Sequence, residues 1–181
     1  MNKTLLHICC APCSVACIRS LREEGIEPTG YWYNPNIHPY TEYRARKETL
    51  IAYADTIDMR LEVNNAYALR PFIRAVYPDF DHRCRTCYQL RMDETAKFAA
   101  EHGFESFTTT LLISPYQQHE AIVQAAEEAA TTHGVSFLYR DFRPLFQEGQ
   151  TIARESAMYM QKYCGCIFSE EERYRKQKVI R

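Results

Sequence analysis

Seven of the eight cysteines in this 181-residue chain fall into three short clusters, and clustered thiols bind soft metals or carry electrons. The clusters are Cys9-Cys10-Ala11-Pro12-Cys13, Cys84-Arg85-Thr86-Cys87 and Cys164-Gly165-Cys166. The thiolates of Cys9, Cys10, Cys84 and Cys87 can hold a zinc ion or a four-iron cluster, and spacing alone does not choose between them. Structural zinc is the plain reading. Against it, the first pair is vicinal and ends an apolar run, whereas zinc ribbons use separated knuckles. Cys13 stays open as a ligand of a second iron or an alternative cluster ligand. Cys10-Ala11-Pro12-Cys13 also has the form of a thioredoxin-type dithiol, a rival that leaves the other clusters without a role. Cys17, one helical turn past Cys13, reads as a small core residue. Cys164 and Cys166 could close only a small, strained and easily reduced disulfide ring, a store of two electrons. A metal-binding turn or two unconnected thiols fit that spacing as well.

Polar side chains in neighbouring loops add to this set, each with a plainer alternative. Asn34, Asn36 and His38 could bind a substrate, or belong to an inert Asn-Pro turn. Ser114 and Tyr116 follow a predicted strand; Ser-Pro often only opens a helix, while Tyr116 could stack a base or donate a proton. Arg91, one turn past Cys87, could reach a phosphate or be a solvated helix charge. Asp81 and His82 read as loop residues. Arg173, Arg175, Lys176, Lys178 and Arg181 make the clearest basic run, which supports an RNA partner only weakly because charged terminal helices are commonly solvent faces.

The elements that must position these residues alternate. Leu5, Leu6 and Ile8 predict a strand, and Val15, Cys17, Ile18 and Leu21 a helix after it. Adjacent cysteines within a strand would point to opposite faces, so Cys9 and Cys10 serve one site only where the pleat breaks, and Pro12 with the helix start supplies that break. Further strands are expected at 29–33, 60–63, 107–113 and 135–139. Helices are expected at 43–57, around 72–77, from Cys84 to about 102, at 120–131, 151–161 and 170–179. This alternation predicts one α/β domain over residues 1–181, a mainly parallel Rossmann-like sheet with flanking helices. In such sheets ligands bind at the carboxyl ends of the strands, where helix N-termini favour thiolates.

A formal net charge of −1 requires any basic surface to be local. No stretch approaches the ~20 apolar residues of a membrane span, and the apolar start is too short for a secretory signal. The expected address is the cytoplasm, where eight cysteines point to metal or redox chemistry rather than a disulfide scaffold.

Five ordered motifs, HICCAPC, YNPNIHPY, CRTCYQLR, FTTTLLISPYQ and YCGCIFS, closely resemble the QueH type of epoxyqueuosine reductase, the cobalamin-independent enzymes of queuosine tRNA modification. The resemblance implies a four-iron, four-sulfur cluster on Cys9, Cys10, Cys84 and Cys87, a redox-active disulfide between Cys164 and Cys166, and an additional iron beside the cluster. It implies a fold similar to the HUP/PP-loop proteins that include tRNA thiolation enzymes, without their SGGxDS phosphate loop and so without ATP use. The implied reaction removes the epoxide oxygen of epoxyqueuosine at the tRNA wobble position, with electrons from an unidentified donor and a proton from Tyr116 or His38. Asn34, Asn36, Arg91 and Ser114 are the expected substrate contacts. Two departures stand out: Met160 where the family pattern sets an arginine, and Ala153 where it sets a serine. A thiol-disulfide oxidoreductase built on Cys10 and Cys13 and a zinc-stabilised RNA-binding module are the rival readings.

Overall fold

In the computed structural model, which describes residues 3–175, the first apolar run forms β1 (Thr4–His7), buried at every position as a strand at the centre of a parallel sheet should be. It leads into α1 (Ala11–Glu23), whose N-terminal turn accepts Pro12 because the first amides of a helix need no partner. The chain continues through β2 (Thr29–Trp32), α2 (Tyr40–Thr56), β3 (Leu61–Val63), α3 (Leu69–Val76), α4 (Arg83–Glu101) and β4 (Ser106–Thr109). It closes with α5 (His119–His133), β5 (Ser136–Phe137), α6 (Phe146–Glu155) and α7 (Ile167–Tyr174). The five strands lie in the order β3-β2-β1-β4-β5, every pair parallel, with Leu5 opposite both Thr29 and Phe107. Helix α1 packs against α2 and α6, and α4 against α5, so helices flank the sheet as a single α/β domain. Among the described residues, no helix is long and apolar enough to cross a membrane.

The strand order reverses between β1 and β4. Loops leaving their carboxyl ends diverge, opening the crevice where ligands bind in sheets of this kind. His7 fastens that junction. Its Nε2 donates to the Tyr33 carbonyl at 3.0 Å, and its Nδ1 accepts from the Thr109 hydroxyl at 2.9 Å, whose oxygen in turn accepts from the Leu111 amide at 3.2 Å.

Several boundaries differ from the sequence expectation: α2 and α3 each start three residues earlier than expected, and β5 is confined to Ser136–Phe137. The strand expected over 107–113 stops at Thr109, where the Thr109 hydroxyl captures the Leu111 amide and turns residues Thr110–Ile113 into a buried 3-10 turn. A short apolar run is buried in either conformation, so its pattern does not separate them. The helix expected over 151–161 runs instead over Phe146–Glu155. It ends where Ala157 takes φ 52° and the amides of Ala157 and Met158 bond back to the Arg154 and Ala153 carbonyls. This Schellman-type stop normally carries glycine, and alanine gives no sign of it. The closing helix begins at Ile167 rather than 170 and ends at Tyr174. Of the terminal basic run, Arg173 and Arg175 are exposed, while Lys176, Lys178 and Arg181 lie outside the described residues.

Burial, and then the Arg91 charge, lower the pKa of His7 from 6.5 to about 4, so the folded ring stays neutral while the unfolded one charges. The unfolded state therefore binds the extra proton, and stability held above pH 6.5 falls as the pH drops towards 4, by up to about 1.4 kcal/mol per pH unit for this group. Urea-unfolding midpoints measured between pH 7 and pH 5 should fall accordingly, and a His7→Gln variant should show a flatter dependence over that range.

Candidate functional site

At the end of β1 the chain leaves the pleat. Cys10 takes the extended N-cap position of α1 (φ −170°), and Cys13 sits in the helix's first turn. The sulfurs of Cys9, Cys10 and Cys13 consequently all lie within 4.8 Å of one another, with Cys9 and Cys10 3.8 Å apart. Thr110, the first residue of the turn after β4, holds Cys9 from across the switch point: its hydroxyl oxygen accepts from the Cys9 amide at 3.2 Å and its proton points at the Cys9 sulfur at 3.4 Å. Hydrogen bonds from Cys10 and then Cys13 hold the Cys9 thiol well below its ordinary pKa, while burial pushes Cys10 up. Three converging sulfurs, two of them buried, are a donor set suited to a soft metal. Gln161 closes this group, its amide 3.5 Å from the Cys13 sulfur.

Cys84 and Cys87 project from the first turns of α4 into a neighbouring pocket lined also by Arg91, Asn36, Cys164 and Cys166. The sulfurs expected as one ligand set thus stand in two adjoining groups, Cys9 and Cys10 with Cys13, and Cys84 and Cys87 with the third cysteine cluster. Arg91 connects them. It is 2% exposed, spends its Nε on the Cys87 carbonyl at 3.4 Å, and leaves one terminal nitrogen buried without a partner. Burial opposes its charge, but the sulfurs of Cys87, Cys164 and Cys9 outweigh that and hold its pKa above the ordinary value. Burial raises Cys87 to about 12.

The Cys164-Gly165-Cys166 segment is held from beneath by α2. Arg46, 2% exposed, donates to the Cys164 and Tyr163 carbonyls at 2.8 and 2.9 Å and pairs with Glu42 at 2.7 Å. The Tyr159 hydroxyl completes Glu42 at 2.5 Å, and the Tyr163 hydroxyl donates to the His38 carbonyl at 2.5 Å. Both cysteines are free thiols. Cys164 is exposed and receives the Gln117 amide at 3.2 Å, with Gln117 itself fixed by the Tyr88 hydroxyl at 2.6 Å. Cys166 is buried, where its sulfur caps α7 by accepting from the Ser169 amide at 3.4 Å.

The remaining sequence candidates fall at different depths. Asn34 is buried and donates to the Ile8 carbonyl at 2.9 Å, while its carbonyl oxygen and that of Asn36 are buried without partners. His38 is buried, its Nε2 proton given to the Pro35 carbonyl at 3.0 Å, and burial lowers its pKa to about 4, so the ring is neutral near neutrality. Ser114 accepts the Tyr116 amide at 3.2 Å within a turn, and Tyr116 is 85% exposed. His82 is exposed at the N-cap of α4 and bonded to Asp79 at 2.9 Å. Sequence reasoning missed Arg46, Glu42, Thr110, Gln117 and Tyr88. The Glu42–Arg46 spacing of four was the one signal available, and it reads by default as a solvent-side helix pair.

The fold and site define a Rossmann-like α/β protein whose ligand edge is lined with sulfur. The family model described as epoxyqueuosine reductase QueH matches residues 4–172, and the chain belongs to this family. A relative from Dehalococcoides mccartyi, named epoxyqueuosine reductase QueH, is 38% identical over 174 residues, 96% of each chain. A Thermotoga maritima relative of the same name is 34% identical over 189 residues, 99% of this chain and 96% of its own. The solved structure of a predicted subunit of tRNA methyltransferase from Methanocaldococcus jannaschii is similar in fold, with TM-score 0.55 at 10% identity, covering 84% of this chain and 75% of that one.

Gly165 has φ 154°, and a Cβ there would stand 3.2 Å from the Asn36 amide nitrogen, 3.3 Å from Ile37 and 3.4 Å from the Arg46 guanidinium. Gly165→Ala should cost about 1–3 kcal/mol of stability and alter the alkylation rate of the exposed Cys164 thiol, measured by iodoacetamide labelling; an unchanged rate would mean that the segment's shape does not depend on this glycine.

Proposed function

We propose that this epoxyqueuosine reductase acts on epoxyqueuosine at the wobble position of tRNA, giving queuosine. Both C–O bonds of the epoxide break and a C=C bond forms. The oxygen leaves as water, which consumes two electrons and two protons. Oxidation of the Cys164 and Cys166 thiols to a disulfide releases two electrons and two protons, so the pair matches the stoichiometry of one turnover. A donor of unidentified kind then restores the thiols. Eight free cysteines suit a reducing compartment, the cytoplasm.

The observation that carries this reading is the meeting of Cys84, Cys87, Cys164 and Cys166 around the unpaired guanidinium of Arg91, beside the sulfurs of Cys9, Cys10 and Cys13. Cys9, Cys10 and Cys13 converge as a set suited to a soft metal; in this reading Cys9, Cys10, Cys84 and Cys87 would hold a four-iron, four-sulfur cluster, and Cys13 an additional iron, supplying one-electron transfer when bound. The protein's own groups prepare the substrate. The free nitrogen of Arg91 offers positive charge where negative charge develops on the epoxide oxygen. Asn36, with its oxygen unpartnered in the pocket, accepts a substrate hydroxyl; Asn34 and Ser114 border the same loops. Tyr116, next in the chain to the glutamine that touches Cys164, carries an uncommitted phenol and delivers the proton, whereas His38 has already given its N–H to Pro35. The target base leaves its stack to enter, as chemistry on a base requires.

The test is the anaerobically purified protein on epoxyqueuosine-bearing tRNA with a chemical reductant, the product nucleoside read by mass spectrometry. Turnover by an iron-containing protein supports the reading. A metal-free active dithiol would instead support the oxidoreductase on Cys10 and Cys13, and a colourless zinc protein without turnover the RNA-binding module. Cys164→Ser and Cys166→Ser should abolish turnover and keep the iron, Cys9→Ser should lose iron, and Tyr116→Phe should slow kcat by about 100-fold or more at unchanged iron content.

A further inference from the structure

Helix α3 presents two unlike faces. Phe72 and Val76 point inward and pack with Cys87 and Cys166 in a small apolar cluster that Leu90 and Phe168 border. Arg70, Arg74 and Tyr77, spaced four and then three residues apart, fall on the opposite side, and all three are exposed. Arg85, on the first turn of α4, is exposed close by. Among the described residues none of Arg70, Arg74 and Arg85 makes an ion pair; of the acids nearby, Glu172 is paired with Arg83, Asp79 is hydrogen-bonded to His82 at 2.9 Å, and Asp81 is exposed, so Arg70, Arg74, Arg83 and Arg85 outnumber the acids.

Aromatic rings connect this outer face to the thiols. Tyr77, 70% exposed, meets Phe80 edge-on at 5.6 Å, and Phe80, itself 37% exposed, meets Phe168 at 5.1 Å. Arg83 lies over Phe168 at 5.7 Å and lines the pocket of Cys84 and Cys166. Unpaired guanidiniums interleaved with open aromatic faces, leading to a site where a nucleobase must be unstacked, suit single-stranded RNA: cations neutralise phosphates and rings stack bases.

From this arrangement we infer that the outer face of α3 with the turn after it, through Arg70, Arg74, Tyr77, Phe80 and Arg85, is the docking surface for the anticodon loop of the substrate tRNA. The inference rests on the reading of this protein as a tRNA-acting reductase and deepens it. The chain has a net charge of −1, so its affinity for RNA must come from a local concentration of positive charge, and here that concentration lies against the thiol pocket. The inner face of the same helix touches Cys87 and Cys166, so a loop docked outside lies about 10 Å, one helix diameter, from the sulfurs, and its unstacked nucleotide reaches the pocket by way of Phe80, Phe168 and Arg83.

The experiment measures binding of a fluorescently labelled anticodon stem-loop RNA to the metal-loaded protein by anisotropy over a series of salt concentrations. The variants are R70Q/R74Q and Tyr77→Ala, all at exposed positions, with Lys97→Ala towards the far end of α4 as the control. R70Q/R74Q should weaken binding and reduce the slope of log K against log salt by about 1.4, two single-strand phosphate contacts at about 0.7 each. Tyr77→Ala should weaken binding roughly 5- to 100-fold with the slope unchanged, and Lys97→Ala should leave both unchanged. On epoxyqueuosine-bearing tRNA the KM of these variants should rise in step while kcat at saturation holds, with melting temperatures equal to wild type. Wild-type affinity in both variants, alongside normal wild-type turnover, would overturn the docking surface and leave the reductase reading standing. Failure of the wild-type protein both to bind the stem-loop and to reduce the tRNA would overturn the reading and the surface together.

Discussion

A guanidinium buried in a protein interior has to find negative charge or lose several kcal/mol to desolvation, and in this fold it finds sulfur. Arg91 pairs with no carboxylate among the described residues; its charge is offset by the Cys87, Cys164 and Cys9 sulfurs, and by Tyr88, whose ring it overlies at 6.0 Å. Arg46 stands on the other flank, where Cys10 as well as Glu42 offsets the burial that disfavours its charge. Two fixed cations therefore bracket the thiols. Their charges favour thiolate, but burial outweighs them at Cys10 and Cys87, whose pKa values are raised, and only Cys9 is held low, chiefly by hydrogen bonds from Cys10 and Cys13. The rest of the site can be understood as what is needed to keep these charges dry and in place.

That support comes from far apart in the chain, which explains what could be read in advance and what could not. The alternation of strands and helices was legible because each element is long enough to show its period, and the break in the pleat at Cys9 and Cys10 was legible because Pro12 announces it. The Schellman stop at Ala157 was not, since nothing local distinguishes that alanine from a helical one. The gathering of cysteines at the strand ends could be expected from topology. Their division between the end of β1 and the start of α4 depends on tertiary packing that no local pattern reveals, and Cys13 joins the first group because the first turn of α1 sets it beside Cys10 at the N-cap. Arg46 and Glu42 were invisible for a related reason. On an isolated α2 they would be an ordinary exposed pair, and they become interior only because a segment 117 residues downstream lays Tyr159 and Tyr163 across them.

The same covering segment carries the departure at Met160. Where the family pattern sets an arginine just before the Tyr163–Cys166 segment, this chain has a half-buried methionine. In this chain the guanidinium in contact with that segment comes from α2, as Arg46 bonds the Tyr163 and Cys164 carbonyls. A guanidinium anchored beneath a loop by a buried carboxylate loses less entropy on holding it than one on a mobile stretch would. Ala153 fits its own place without need of a hydroxyl: it is fully buried on α6, and its carbonyl already receives the Met158 amide.

The two thiols of the third cluster are treated unequally by these supports, and the inequality has a direction. Cys164 is exposed, steadied by Gln117 and, through its carbonyl, by Arg46; Cys166 is buried among Phe72, Val76 and Cys87 and bound to the first turn of α7. A thiol at the surface is open to exchange with an external dithiol, whereas one in an apolar cluster is not. Gly165 alone separates them, at φ 154°, so a single residue spans the change from solvent to interior. Cys164 is thus open to an external reductant while it lines, together with Cys166, the pocket that holds Cys84 and Cys87.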